Sequence, residues 1–132
     1  MTGASIPLLA GACGKVVLAY GVLSAERAAE AAEVAGGPKA LAVSEGEIAS
    51  VQARGYALDD CEYLEGIRGA SAPVFDASGE VVGLLLVSGL AASMRRENLD
   101  SIGRATGAAA RGISEALGAS SPASPTEAAT TT

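Results

Sequence analysis

Histidine and tryptophan are absent from the 132 residues, and the aromatic side chains are only Tyr20, Tyr56, Tyr63 and Phe75. Without histidine, neither a Ser-His-Asp nor a Cys-His catalytic set can form within one chain. Zinc, iron and copper sites built on imidazole are excluded for the same reason. So few aromatics leave no platform on which single-stranded nucleic acid could stack its bases. Positive charge is also scarce: nine Lys and Arg stand against fifteen Asp and Glu, for a formal net charge of −6, and Arg95-Arg96 is the only adjacent basic pair. Phosphate contacts need clustered cations, so direct nucleic-acid binding is not expected. Two cysteines, Cys13 and Cys61, make no disulfide framework and cannot close a zinc site alone; reduced thiols in a cytoplasm are expected. The longest apolar run, Val81 to Leu90, is broken by Gly83, Ser88 and Gly89 and falls well short of the roughly 20 residues of a membrane span. Residues 5–12 lead into Cys13 as a lipoprotein signal would, but no positive charge precedes them and Lys15 follows at once. A soluble protein with no metal, cofactor or membrane contact is the expectation.

Hydrophobic residues make up 49% and charged residues 18% of the chain, a balance that folds. The length suits one domain with a tail. Residues 1–118 read as the domain. Residues 119–132 (ASSPASPTEAATTT) read as a disordered low-complexity tail. No internal repeat is present.

Along the domain, Val16, Val17 and Tyr20 lie at helical spacing behind the small residues at 10–14, predicting a helix over about 13–20 that Gly21 ends. Ser24 caps an expected second helix with a weak stripe at Ala28, Ala31, Ala32 and Ala35, stopped by Gly36-Gly37-Pro38. Residues 39–43 are expected to be extended or irregular. Ser44-Glu45-Gly46-Glu47 has capping-box spacing, opening a helix with Ile48 and Val51 inward that ends at Arg54-Gly55. A short strand follows over 56–59, and residues 63–68 are ambiguous. Ser71 to Phe75 and Glu80 to Ser88, joined by Asp76-Ala77-Ser78-Gly79, form the clearest hairpin. The near-continuous apolar run from Val81 to Val87 predicts a central strand covered on both faces. Ser93 is the expected cap of a long final helix whose inward stripe is Leu99, Ile102, Thr106, Ala109, Ile113 and Leu117.

Three segments, in order, resemble one family. Residues 7–19 (PLLAGACGKVVLA), 54–62 (RGYALDDCE) and 66–89 (GIRGASAPVFDASGEVVGLLLVSG) are similar to the motifs of the effector-binding domain in IclR-type bacterial transcriptional regulators, and ISEALG at 113–118 fits its final helix. The resemblance covers roughly residues 3–118. It implies an α+β, GAF-like antiparallel sheet with flanking helices, truncated at the N-terminus: the family's winged helix-turn-helix and first strands have no counterpart in these residues. Exposed strand edges would then need covering, most simply by a second copy in a homodimer or higher homo-oligomer.

By position, the resemblance carries over a small-molecule pocket. Ala12, Cys13 and Gly14 would offer amide N–H groups at a helix start, where a carboxylate or carbonyl oxygen is favoured. Asp59 matches an acidic position able to accept a hydrogen bond from a ligand hydroxyl. Ile67, Gly69, Leu86 and Ser88 complete the expected wall. Gly69 stands where some members carry Cys and Leu86 where some carry Ser, so the pocket reads as more apolar than a small-keto-acid site. Each residue has a packing explanation too: small residues let a helix approach a sheet, Asp59-Asp60 can be an acidic turn, and cysteines are often small buried hydrophobes. Lys15 reads as solvated or ion-paired. Three functions stay open: a non-catalytic effector-binding domain; an enzyme using Asp59 as acid or base, the amides near Cys13 as an oxyanion site and Cys13 as a candidate thiol; and an interaction module that forms mixed dimers with full-length regulators.

Overall fold

The computed structural model describes residues 11–22, 44–62 and 64–120. These form α1 (Gly11–Ala19), α2 (Glu45–Arg54), β1 (Ala57–Asp60), β2 (Ile67–Phe75), β3 (Val81–Leu90) and α3 (Arg96–Ala116). The expected helix after Ser24, the extended 39–43 segment and residues 121–132 of the expected tail lie outside the described residues.

Local chemistry sets the ends of these elements. Ser44 Oγ accepts the Glu47 N–H at 3.1 Å, as the capping box requires, and Gly55 closes α2 in the left-handed conformation (φ 85°), which glycine adopts without a Cβ clash. Asp76 Oδ1 accepts the N–H groups of Ser78 and Glu80 and the Ser78 hydroxyl, closing the β2–β3 turn. Those contacts, the Ser78 hydroxyl first, hold the Asp76 carboxyl below its usual range.

The sheet is antiparallel in the order β1-β2-β3. Strand alternation divides it into two faces. On one, Ala57 and Leu84 pack with Ala12, Val16 and Ala19 of α1 and Val51 of α2. On the other, Ala72, Val74 and Leu85 pack with Tyr56 and Ala110 of α3. The sheet is therefore covered on both faces over β1 and β2, in an α+β arrangement.

Three expectations are corrected. First, β3 is the edge of the described sheet, not its centre: Val82 and Leu90 are 55% and 63% exposed, and Leu86 and Val87 are exposed as well. A near-continuous apolar run indicates two faces that avoid water, but it does not reveal which strand will supply the cover. Second, α3 starts at Arg96 rather than behind Ser93. Ser93 lies in a turn whose N–H returns to the Leu90 carbonyl at 2.9 Å. Arg68 Nη1 reaches the carbonyls of Ala91 and Met94 in that turn, each at 3.0 Å. Third, the buried line of α3 is Leu99, Gly103, Thr106, Ala110 and Ser114, while Ala109 is exposed and Ile113 and Leu117 are 43% and 50% exposed. The helix lies so close to the sheet that its contact face takes the smallest residues and turns the larger aliphatics outward. Ser114 belongs there because its hydroxyl donates to the Ala110 carbonyl and accepts the Phe75 N–H, both at 2.9 Å. Phe75 adjoins the register shift in β2, where the ladder loses regular pairing.

Candidate functional site

The pairing register brings three positions into one row across the sheet. Asp59 of β1 is paired with Gly69 of β2, and Gly69 with Ser88 of β3. All three lie on the α1 face. Neighbouring strands are about 4.8 Å apart, so Asp59 and Ser88 flank Gly69 across roughly two such steps. Gly69 has no side chain to fill the interval. A cavity of ≈ 100 Å³ opens there, roofed by Gly11, Ala12 and Cys13 at the start of α1. Leu64 and Ile67 close one side and Leu86 of β3 another; Arg68 also borders it. A Cβ on Gly69 would stand 2.9 Å from the Val87 carbonyl oxygen, closer than non-bonded atoms tolerate, so both the ladder and the hollow depend on glycine.

Of the eight positions expected from the sequence, the structure gathers Ala12, Cys13, Asp59, Ile67, Gly69, Leu86 and Ser88 around this one cavity. Gly14 is buried along α1 and is not part of the wall. Gly11, Leu64 and Arg68 join the wall without having been singled out. Gly11 had a signal, since it lies within the small-residue run at 10–14, and its φ of 56° places it in left-handed backbone where the chain enters the helix.

Asp59 is only 6% exposed. Its Oδ1 accepts the Glu62 N–H at 2.8 Å, which closes the turn after β1 and fixes the carboxylate in place. Cys13 Sγ lies 3.5 Å from Ser71 Oγ. Lys15 is buried, and its Nζ donates to the Leu58 carbonyl and Glu62 Oε1, each at 2.7 Å, with Glu47 Oε2 at 3.2 Å. It thus ties α1 to α2 and to the turn after β1. Arg68 is committed as well: Nε donates to Asp60 Oδ1 at 2.6 Å, and Arg96 Nε reaches Asp60 Oδ2 at 2.7 Å. The Arg68 hydrogen bond holds the Asp60 carboxyl below its usual range. Among the described residues, no group of three or more His, Cys, Asp or Glu is placed to hold a metal ion, and no helix is long and apolar enough to cross a membrane.

The architecture matches solved bacterial regulators. The repressor BlcR of Agobacterium tumefaciens superposes with a TM-score of 0.70 at 26% identity, covering 92% of this chain and 50% of that one. Pseudomonas aeruginosa HmgR superposes with a TM-score of 0.69 at 28% identity, covering 92% and 49%. The HTH-type transcriptional regulator BhcR of Paracoccus denitrificans is 38% identical over 68 residues, which are 52% of this chain and 24% of that protein. The chain spans about half the length of the two solved regulators and a quarter of the third. Over residues 1–115 it matches the family described as bacterial transcriptional regulator IclR C-terminal, and it belongs to that family.

Proposed function

We propose that this chain is a non-catalytic, small-molecule-binding regulatory domain, and that the hollow over Gly69 is where an organic effector binds. The observation that carries this is the row Asp59–Gly69–Ser88, in which a buried carboxylate and a hydroxyl flank a strand position with no side chain, beneath the entrance to α1. Largely apolar walls with a few placed polar groups are the usual make-up of a small-molecule site. Binding is favoured over turnover by the neighbours of the candidate groups: the Cys13 thiol faces a serine hydroxyl, which is no base, and Asp59 is engaged by a backbone amide. The test is a thermal-shift screen of organic acids, alcohols and hydrophobic metabolites on the full chain, with hits mapped by amide NMR. A hit that stabilises the fold and perturbs Ala12, Asp59, Gly69 and Ser88 together supports the reading. Hits that all perturb other surfaces, or no stabilisation by any compound, refute it.

The second element of the reading is self-association through β3. No charged residue occurs between Val81 and Leu90, so the edge lacks the charges that usually keep strand edges apart. Antiparallel pairing of two copies about a two-fold axis at Leu86 sets Val82 opposite Leu90 and Leu86 opposite its own symmetry mate, joining the exposed apolar side chains of one face. Light scattering after size exclusion should give a dimer mass for the wild type and a monomer for Val82→Lys with Leu90→Lys. A monomeric wild type at tens of micromolar defeats this assignment.

A further inference from the structure

Arg68, Arg95, Arg96 and Arg104 are each ion-paired with an Asp or Glu. Arg54 makes no ion pair among the described residues. Its Nε donates to the Tyr56 carbonyl at 2.9 Å, and its guanidinium lies 4.8 Å from the Tyr56 ring centroid. These contacts fix the guanidinium at the end of α2 without placing a carboxylate against it. There it borders a second cavity, of ≈ 30 Å³, whose wall includes Tyr20 just past α1, Pro73 and Phe75 of β2, and Gly107 and Arg111 of α3. This cavity shares no residue with the hollow over Gly69. It forms because α3 comes close to the end of α2: a Cβ on Gly107 would stand 3.4 Å from Tyr56 Cδ2 and 3.7 Å from the Gly55 carbonyl oxygen. Arg111, one turn further along, adds a second guanidinium to the wall. No Asp or Glu lines it, in a chain with fifteen acidic and nine basic residues. The Tyr20 hydroxyl is buried with no hydrogen-bond partner among the described residues, whereas buried polar groups are almost always bonded. Its ring is held edge-on against Phe75, the centroids 5.7 Å apart. Two guanidiniums and a hydroxyl can all donate, and the group that answers all three is an acceptor with negative charge. The guanidinium fork matches the oxygens of carboxylate and phosphate. The cavity has room for roughly two water-sized groups, which suits a head group and not a whole metabolite. Arg54 is exposed at its rim, so the rest of a ligand can extend into water.

We propose that the cavity between Arg54, Arg111 and Tyr20 is a second binding site, separate from the hollow over Gly69, that takes the phosphate or carboxylate head group of a small molecule. The test titrates the full chain at neutral pH with inorganic phosphate, acetate and chloride at matched ionic strength, followed by backbone-amide and arginine side-chain NMR. Phosphate or acetate is expected to give saturable shifts at Gly55, Gly107 and the Nε–H groups of Arg54 and Arg111, and the tighter of the two identifies the head group. Chloride is expected to give no saturable shift there. Arg111→Gln should weaken the bound anion about ten-fold, as loss of one charge-assisted donor predicts. Tyr20→Phe keeps the ring against Phe75 and removes only the hydroxyl. It should leave the anion-free protein at least as stable in thermal unfolding, because the lost hydroxyl had no partner, yet weaken the anion several-fold. If Arg111→Gln does not fold, Tyr20→Phe decides alone. Shifts that chloride reproduces, no saturable response to phosphate or acetate, or anion affinities unchanged in the folded variants overturn the proposal. None of these results bears on the effector site, which has no wall residue in common with this one.

Discussion

Gly103→Ala isolates the close approach of α3 to the sheet. An alanine in a helix interior is worth about 1 kcal/mol more than a glycine. Here the new Cβ would stand 2.5 Å from both Cδ1 and Cε1 of Tyr56 and 2.7 Å from Leu58 Cδ2, where carbon atoms prefer about 3.5–4.0 Å. The ring has little room to retreat. Its hydroxyl donates to Asp100 Oδ1 at 2.6 Å, and the Arg54 guanidinium lies 4.8 Å from its centroid. Overpacking costs about 1–3 kcal/mol, and with both ends of the ring held the upper part of that range applies. The net loss is about 1–2 kcal/mol. Gly112, on the same helix, has nothing within 4 Å of its would-be Cβ, so Gly112→Ala keeps the propensity gain of about 1 kcal/mol. Two identical substitutions nine positions apart should therefore differ by roughly 2–3 kcal/mol and in sign. Urea unfolding followed by far-ultraviolet circular dichroism measures both. In a Tyr56→Ala background most of the Gly103→Ala penalty should disappear, because the two nearest atoms are gone and the end of the Leu58 side chain, the remaining contact, can turn into the space the ring leaves. A Gly103→Ala protein as stable as the wild type would show that α3 does not rest on the Tyr56 ring.

Further outcomes follow from single contacts. Ser114→Ala leaves the Phe75 N–H beside the β2 irregularity without its acceptor and should cost about 1–3 kcal/mol in urea unfolding, whereas Ser114→Thr, which restores a hydroxyl, should recover part of it. Lys15→Met keeps the aliphatic stem but strips the Leu58 carbonyl of its donor; a loss of about 1–3 kcal/mol is expected, and no loss would mean that the Lys15 ion pairs only offset their own desolvation. Asp60 is held below its ordinary 3.8 chiefly by the Arg68 hydrogen bond. Its stabilisation is therefore complete above about pH 4 and disappears as pH falls through the lower folded-state value. Asp60→Asn should lose stability near neutrality, with the gap to the wild type closing in acid; a gap constant from pH 7 to 2.5 would show that the charge on Asp60 is not what Arg68 and Arg96 recognise.

The candidate site was legible through the family resemblance rather than residue type, since each of its residues also has a packing explanation. Seven of the eight positions carried over line one hollow because the antiparallel pairing of two short connections aligns Asp59, Gly69 and Ser88 beneath the start of α1. Arg68 was not legible, since a basic residue in a strand says nothing about the turn carbonyls it will clamp. Nor was the role of Ser114, whose partner is thirty-nine residues away.

By itself, the sequence determined the local decisions: where α2 is capped and stopped, which turn joins β2 to β3, that histidine chemistry is absent, and that small residues stand at the start of α1. These depend on interactions within a few positions along the chain. Only the tertiary structure decided which strand stands at the sheet edge, which stripe of α3 is buried and where Gly69 leaves a gap. Those outcomes depend on how near two elements can approach. At α3 a missing Cβ against an aromatic ring outweighed the larger hydrophobicity of Ile113 and Leu117, because steric contact rises far more steeply with distance than apolar burial repays.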